Sequence, residues 1–378
     1  MGSVAETMIC NEELELFDLS NNRTVQFLEG LMFVSNQYQL IHKYIAIVIC
    51  VFGIIFNVMH IMVLTRSVMY RSTVNRLLSF VAVCDILTML SYLIFTIKFS
   101  FMIEDPHNPP AGYELKWIFF LLGHVVISIG LHTITLFLSV STAYIRYKAL
   151  DKLDSKLLNR NAAGPIFLIV SCIVTLLCVP TFLVHSIIPV EGPNKEILYT
   201  VGLAEDVALG CTAFKINLWV TGICFKVVPC LLLIFFTVAL LIKMDSTRKR
   251  RRLITSGNSV ATQKIDSHAD RTTKMLIVLL VIFISTELPQ GILAIANAVY
   301  PNDVHQFIYL SLGDILDLLS LINANVIYII YPLISTQYRS TLKSMLRCFR
   351  ETYRSRMPSA SRMHADSSRM TDDRDVLL

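Results

Sequence analysis

Residues 43–65 read KYIAIVICVFGIIFNVMHIMVLT, and this stretch decides the fold. No charged residue follows Lys43 in it, and about 20 apolar residues are enough to cross the hydrocarbon core of a bilayer. Comparable stretches follow at 76–99, 117–146, 164–188, 217–243, 274–299 and 306–332. We therefore expect an all-α membrane protein, a bundle of seven spans numbered in this order, with its two ends on opposite sides of the membrane.

The composition also favours a membrane protein over a pair of soluble domains. Of the 378 residues, 54% are hydrophobic and only 16% are charged, whereas soluble domains carry about 25% charged residues. The net charge of +5 does not indicate a nucleic-acid partner, because the basic residues lie between the spans. Most of the nine cysteines fall inside the spans, which argues against a disulfide scaffold.

The distribution of basic residues predicts the orientation. Six Lys and Arg residues lie in the N-terminal tail and the loops on its side, whereas 26 lie in the opposite loops and the C-terminal tail. Since basic loops stay in the cytoplasm, the N-terminus should be extracellular and the C-terminus cytoplasmic. Residues 1–42 then form an extracellular tail that carries a glycosylation sequon at Asn22, 43–335 the membrane domain, and 336–378 an eighth helix and a cytoplasmic tail.

Two opposite charges lie deep in neighbouring spans, Lys226 in span five and Glu287 in span six. An unpaired charge at that depth is costly, so we expect these two side chains to form an ion pair. Pro229 and Pro289 interrupt the same spans, and each marks either a hinge or a packing bend.

Further polar residues should meet at mid-membrane depth if the helices align. They either hold a sodium ion or a chain of waters, or only join the helices by hydrogen bonds. The set is Asn57, Asp85, Thr135, Asn323 and Asn325.

Several short motifs occur in order and at matching depths. They are Gly53 with Asn57, Phe80–Asp85, Ile145-Arg146-Tyr147, Pro229, Phe283–Pro289, Tyr331 and Tyr338-Arg339. Together they resemble the rhodopsin-like G-protein-coupled receptors over roughly residues 43–350. The resemblance implies a seven-transmembrane bundle with a short amphipathic eighth helix that starts at Tyr338, and G-protein contact through Arg146 and Tyr147. It also makes Cys348 a palmitoylation candidate.

Three stretches resemble a narrower group, the nematode serpentine class w receptors, which include the myosuppressin-receptor-like proteins. They are RTTKML at 271–276, TELPQG at 286–291 and LLSLIN at 318–323. This resemblance implies a receptor for FMRFamide-like neuropeptides that signals through an inhibitory-class G protein at the plasma membrane, without a cofactor. The alternative is a chemosensory receptor of the same fold for a small molecule, because fold does not fix the ligand.

The chain also departs from the family pattern. Leu121 stands where the family commonly has the span-three cysteine of a disulfide, and Cys10 and Cys211 either pair as a substitute or remain free. Ile145 stands in place of the acid before Arg146, and Tyr328 in place of the span-seven proline.

We expect the ligand cavity between the outer halves of spans three, five, six and seven. The acids Asp314 and Asp317 share one helix face, and we assign the arginine of a cationic, amidated peptide to Asp317, one turn deeper than Asp314. His124, Ser128 and His132 are four residues apart and form a polar stripe on span three, which faces either the cavity or a packing interface. The candidate ligand residues are His124, Ser128, His132, Lys226, Glu287, Gln290, Asp314 and Asp317.

Other classes of function fit less well. A retinal receptor needs a lysine in span seven, and residues 306–335 contain none. Inverted repeats, which are typical of secondary transporters, are not evident in the sequence. The chain also has no metal-binding motif, nucleophile motif or phosphate loop of the kind that would indicate an enzyme.

Overall fold

The computed structural model describes residues 15–103, 110–149, 160–192, 195–203, 207–254 and 259–356. Within these ranges, seven helices are long and apolar enough to cross a membrane. The prediction of a seven-helix membrane bundle is therefore confirmed.

The helices follow one another along the chain as expected, and three of them contain π-helical segments. Span one is Asn22–Leu64, span two is Thr73–Thr96 with a π segment at Ile97–Phe101, and span three is Leu115–Ala149. A 3-10 turn at Arg160–Ala162 precedes span four, which consists of Ala163–Leu177 and Val179–Leu183. Span five consists of Val207–Trp219, a π segment at Val220–Val227, and Val228–Ile254. Span six is Ser259–Val299, span seven is Val304–Tyr309 (π) with Leu310–Ile334, and helix eight is Thr336–Arg356.

Span one begins well before the predicted boundary at residue 43. The Asn21 side chain accepts a hydrogen bond from the Arg23 backbone N–H at 3.0 Å and so caps the helix. The helix has 43 residues, and at 1.5 Å per residue it is about 64 Å long, twice the hydrocarbon thickness. Its outer half therefore projects beyond the bilayer, and it rests on span seven where the Ser35 hydroxyl donates to the Ser311 carbonyl at 2.6 Å.

A β-hairpin follows span four, and the sequence analysis did not predict it. Strands β1 (His185–Glu191) and β2 (Ile197–Leu203) pair antiparallel, so the expectation that span four continues to residue 188 is wrong at its outer end. Residues 185–188 read HSII and directly follow the apolar run of span four, so hydropathy alone does not show where the helix ends. Within sheets, proline is largely confined to edge strands, and Pro189 lies in β1. Lys195 adopts a left-handed conformation (φ 59°) in the turn.

A backbone bridge joins this hairpin to the start of span three. Tyr113 donates its N–H to the Tyr199 carbonyl at 2.8 Å, and Tyr199 returns a bond to the Tyr113 carbonyl at 2.9 Å. The bridge holds the two outer loops together near the point where Leu121 replaces the family's cysteine. Cys10 and the Cys211 side chain lie outside the described residues, so their pairing is still a prediction.

After the end of span seven, helix eight packs against spans one and seven. Tyr338 is buried, its hydroxyl lies 3.1 Å from His60 Nδ1, and its ring meets Tyr331 edge to face. Burial first, and then the nearby Tyr331, raise the pKa of Tyr338 to about 12. The hydroxyl therefore keeps its proton at physiological pH, and helix eight stays bonded to span one.

The two prolines differ in position. Pro289 lies inside the helix of span six, whereas Pro229 is the second residue of the helix that follows the π segment of span five. Both positions interrupt regular α-helical hydrogen bonding, and their role as hinges stays a prediction.

We expect the outer bridge to depend on Gly112. A Cβ atom added there would lie 2.6 Å from Val190 Cγ2 and 2.8 Å from the Tyr199 carbonyl oxygen. Gly112→Ala should therefore separate the hairpin from span three and lower the thermal midpoint of the purified receptor by several degrees. Gly123→Ala is the matched control, because a Cβ at Gly123 meets nothing within 4 Å. Equal midpoints for both variants and the native protein would contradict the role of the bridge.

Candidate ligand site and cytoplasmic cavity

The expected ion pair between Lys226 and Glu287 is present at the centre of the bundle. The Lys226 ammonium donates to Glu287 Oε2 at 2.7 Å and to Gln290 Oε1 at 2.9 Å. The Glu287 side chain is fully buried, whereas 16% of the Lys226 side chain is exposed. The accessible surface of the pair therefore belongs to the lysine.

Two further spans bond to the same carboxylate. His132 Nε2 lies 3.1 Å from both Glu287 oxygens, so this nitrogen must carry the proton, and the Asn323 amide donates to Oε1 at 2.9 Å. Glu287 is thus bonded from spans three, five and seven while it belongs to span six. We call this set of residues the central charged cluster: His132, Lys226, Glu287, Gln290 and Asn323.

Small residues let spans five and six approach closely enough for these contacts. A Cβ at Gly291 would lie 2.9 Å from Lys226 Cβ, and one at Gly222 would lie 3.0 Å from the Ile295 side chain. Lys226 is in the π segment of span five, where the wider helical turn changes the direction of the side chains. The local backbone and the two glycines together bring Lys226 to Glu287.

A second polar group lies nearer the outer surface, between spans one, two and seven. The Tyr92 hydroxyl donates to Asp317 Oδ2 at 3.1 Å and lies 2.9 Å from His42 Nε2. His42 Nε2 also lies 4.0 Å from Asp314, and its Nδ1 lies 3.1 Å from the Tyr38 hydroxyl. We call these five residues the outer acidic cluster.

The sequence analysis named only the two acids of this cluster. Tyr92 could have been found, because it lies seven residues after Asp85 and so on the same face of span two. His42 and Tyr38 gave no such signal, since they were assigned to the tail. Their position follows from the helical extension of span one.

Two candidate residues on span three have local partners instead. His124 is buried, lies 2.6 Å from the Ser91 hydroxyl, and stacks between Phe95 and Phe120. The Ser128 hydroxyl donates to the Val125 carbonyl of its own helix at 3.2 Å. Of the polar stripe, only His132 joins the central charged cluster, so ligand contact by His124 and Ser128 stays a prediction.

The structure divides the predicted mid-membrane set into two parts. Asp85, Thr135 and Asn323 line one cavity. Asn57 instead bonds to the Gly53 carbonyl and to Tyr328, and Asn325 bonds to the Leu321 carbonyl at 2.7 Å. Asn57 through Tyr328, and Asn325 through Met89 Sδ at 3.7 Å, join neighbouring helices, which is the second of the two roles expected for this set. A sodium ion or a chain of waters beside Asp85 stays a prediction.

The cavity that contains Asp85 extends to Arg146 and has a volume of about 880 Å³, including the space at its mouth. Thr135 and Arg146 both line it, and 11 residues of helix separate them by about 16 Å. Among the described residues, Arg146 has no ion-pair partner, and Ile145 beside it is buried in the core. The Tyr147 ring lies 4.2 Å from the Lys243 ammonium.

Two predicted modification sites are accessible. Asn22 is exposed in the first turn of span one, and Cys348 is exposed on helix eight. No group of three or more His, Cys, Asp or Glu residues within the described ranges is arranged to bind a metal ion.

Comparison with known proteins gives two matches. Residues 44–349 match the family model described as "Serpentine type 7TM GPCR chemoreceptor Srw". The chain is also 32% identical over 367 residues to the G-protein coupled receptor dmsr-1 of Caenorhabditis elegans, an alignment that covers 84% of this chain and 71% of that protein.

We expect the Lys226–Glu287 pair to be energetically coupled. Lys226→Met alone leaves a buried carboxylate without its cation, and such a loss costs about 3–5 kcal/mol. The double variant Lys226→Met/Glu287→Met removes both charges and should be more stable than the sum of the two single changes predicts. Thermal midpoints of the four purified proteins measure the coupling, and additive effects would contradict it.

Proposed function

The chain belongs to the Srw family of serpentine seven-transmembrane G-protein-coupled receptors, and from that premise we propose that its ligand is a cationic, FMRFamide-like neuropeptide. As a member, it is a multi-pass membrane receptor rather than an enzyme, and its partners are a ligand and a heterotrimeric G protein. The peptide nature of the ligand, an inhibitory-class G protein and a plasma-membrane location are our proposals.

The exposure of Asp317 inside the bundle is the observation that carries the peptide assignment. Asp317 bonds to the buried Tyr92 and so faces the interior between spans two and seven, yet its side chain is exposed. An accessible carboxylate at that position favours a cationic ligand. An arginine suits it because a guanidinium binds a carboxylate by two charge-assisted hydrogen bonds.

The surroundings of Asp317 suit the rest of such a peptide. Asp314, with 32% of its side chain exposed, adds a second negative charge nearer the surface. The rings of His124 and Tyr92 lie 5.9 Å apart, and His124 continues into the stack with Phe95 and Phe120. This aromatic wall favours binding of a phenylalanine next to the arginine.

Signalling requires that ligand and G protein both favour the same arrangement of helices. The ligand acts from the outer acidic cluster and the central charged cluster, and the G protein contacts Arg146 and Tyr147 at the cytoplasmic cavity. The central charged cluster lies between these two sites and bonds four spans together. A ligand that changes its bonding therefore changes the relation of spans five and six, which also carry Pro229 and Pro289.

The second candidate is a chemosensory receptor for a small molecule. The observation that favours it is the description of the matched family as chemoreceptors. A small cation that activates the receptor at lower concentration than any cationic peptide would support this candidate.

We expect Asp317→Ala to reduce the potency of a peptide with a C-terminal Arg-Phe-amide by about tenfold or more, because the guanidinium loses its carboxylate. The assay is G-protein activation at matched surface level. Replacing the arginine of the peptide by citrulline should cause a similar loss in the native receptor and little further loss in Asp317→Ala.

Glu114→Ala is the control for general outer charge, since Glu114 is exposed and its pKa is lowered by its hydrogen bond and charge contact with Lys116. If Asp317→Ala and Glu114→Ala behaved alike, the assignment of the arginine to Asp317 would be wrong.

We also expect glycosylation of Asn22, which requires an extracellular N-terminus. Asn22→Gln should lower the apparent mass of the receptor from eukaryotic cells on a denaturing gel by about the mass of one N-glycan. Asn21→Gln is the matched control, because Asn21 is not part of a sequon. A cytoplasmic N-terminus would leave Asn22 unmodified, and both variants would then migrate like the native chain.

A further inference from the structure

The central charged cluster contains one hydrogen-bond donor, on Lys226, that no described residue accepts. A lysine ammonium has three N–H bonds, and Lys226 donates two of them, to Glu287 and Gln290. No other described residue accepts from it. Because Lys226 is partly exposed and Glu287 is not, this third donor is the part of the pair that a ligand can reach.

The charge of Lys226 is already balanced. Glu287 lies 2.7 Å from the ammonium and is bonded on both oxygens, so lysine and glutamate together carry no net charge. The neighbouring polar side chains, Ser320 and Gln290, are also uncharged. Ser320 Oγ donates to Gln290 Oε1 at 3.2 Å. A ligand group that binds here meets a hydrogen-bond donor without an excess positive charge.

The three possible ends of a peptide would behave differently at such a place. A carboxylate would be buried beside Glu287 and below Asp317, without a cation of its own, and that burial is costly. An ammonium would lie against the Lys226 ammonium, and the two like charges would repel each other. A carboxamide is neutral, its carbonyl oxygen accepts the free Lys226 N–H, and its NH₂ group donates to a hydroxyl or amide oxygen such as those of Ser320 and Gln290.

The distance to the outer acidic cluster fits the same end of a peptide. Ser320 follows Asp317 by three residues of helix, which is about 4.5 Å along the axis. One extended residue spans about 3.5 Å. A cationic side chain on Asp317 therefore places the end of the peptide chain beside Lys226 when the cation is one residue from that end.

We propose that Lys226, whose positive charge is balanced by Glu287, is a specificity-determining residue that selects a C-terminal carboxamide over a free carboxylate. This inference rests on the proposed peptide ligand, and it adds that the ion pair distinguishes a carboxamide from a carboxylate at the C-terminus of that ligand. Glu287 acts through Lys226 and is a positioning residue.

A series of synthetic peptides on the native receptor gives the first test. The peptides share one sequence that ends in Arg-Phe and differ in the terminal group: carboxamide, methyl ester or free acid. We expect the carboxamide to be most potent, the neutral ester next, and the acid weaker than the carboxamide by about tenfold or more.

Receptor variants give the second test. Glu287→Gln removes the balancing charge, so a free carboxylate becomes a partner of Lys226, and the ratio of acid to amide EC50 should fall by about tenfold. The double variant Lys226→Met/Glu287→Met has neither the ammonium donor nor its balancing charge, so the amide should lose about tenfold in potency relative to the native receptor, and an unchanged amide potency would overturn the role of Lys226. Asp317→Asn removes the charge that binds the arginine, so it should lower the potency of the amide and of the acid by the same factor. Potencies are compared at equal surface level measured by an outer epitope tag.

The outcomes separate the two proposals. Equal potency of amide and acid on the native receptor, or an unchanged ratio in Glu287→Gln, would overturn the role of the ion pair while a peptide receptor remained. Activation by none of the peptides would overturn the proposed function and this inference with it. If Glu287→Gln does not reach the surface, the ligand series on the native receptor decides the question.

Discussion

A carboxylate inside a bilayer must be fully bonded, and the arrangement of this receptor follows from how Glu287 meets that requirement. Spans three, five and seven each contribute a donor, from His132, Lys226 and Asn323. The requirement fixes the π segment that carries Lys226 and the small residues that let span six approach it. The same bonds lie between the outer acidic cluster and the cavity that Asp85 and Arg146 line.

The central charged cluster bonds the spans to one another and also contains Lys226, the residue that we propose selects the ligand. The Srw family membership establishes a ligand and a G protein, and Arg146 lacks an ion pair among the described residues that would restrain it from the cytoplasmic side. Within the described part of the chain, the central charged cluster bonds spans three, five, six and seven together. A ligand that bonds to Lys226 therefore acts where four helices are held together, which links recognition of its terminal group to the position of span six.

Much of this could be predicted from residues alone, and the failures have physical causes. The spans follow from hydropathy, and the Lys226–Glu287 contact follows from the cost of an unpaired charge. The strand at 185–188 was missed because it directly follows the apolar run of span four, and hydropathy does not distinguish Ile187 and Ile188 in a helix from the same residues in a hairpin. Asn57 and Asn325 were grouped with Asp85 because depth along a helix is readable from sequence, whereas the direction of a side chain depends on packing. His42 and Tyr38 needed the extension of span one.

The outer bridge between Tyr113 and Tyr199 differs from a disulfide in its response to redox conditions. Many receptors of this shape secure the same two loops by a bond that forms only in an oxidising compartment. Here two backbone hydrogen bonds and the small size of Gly112 make the connection. That connection needs no oxidase, is formed as soon as the chain folds, and is insensitive to thiol reductants in the surrounding medium.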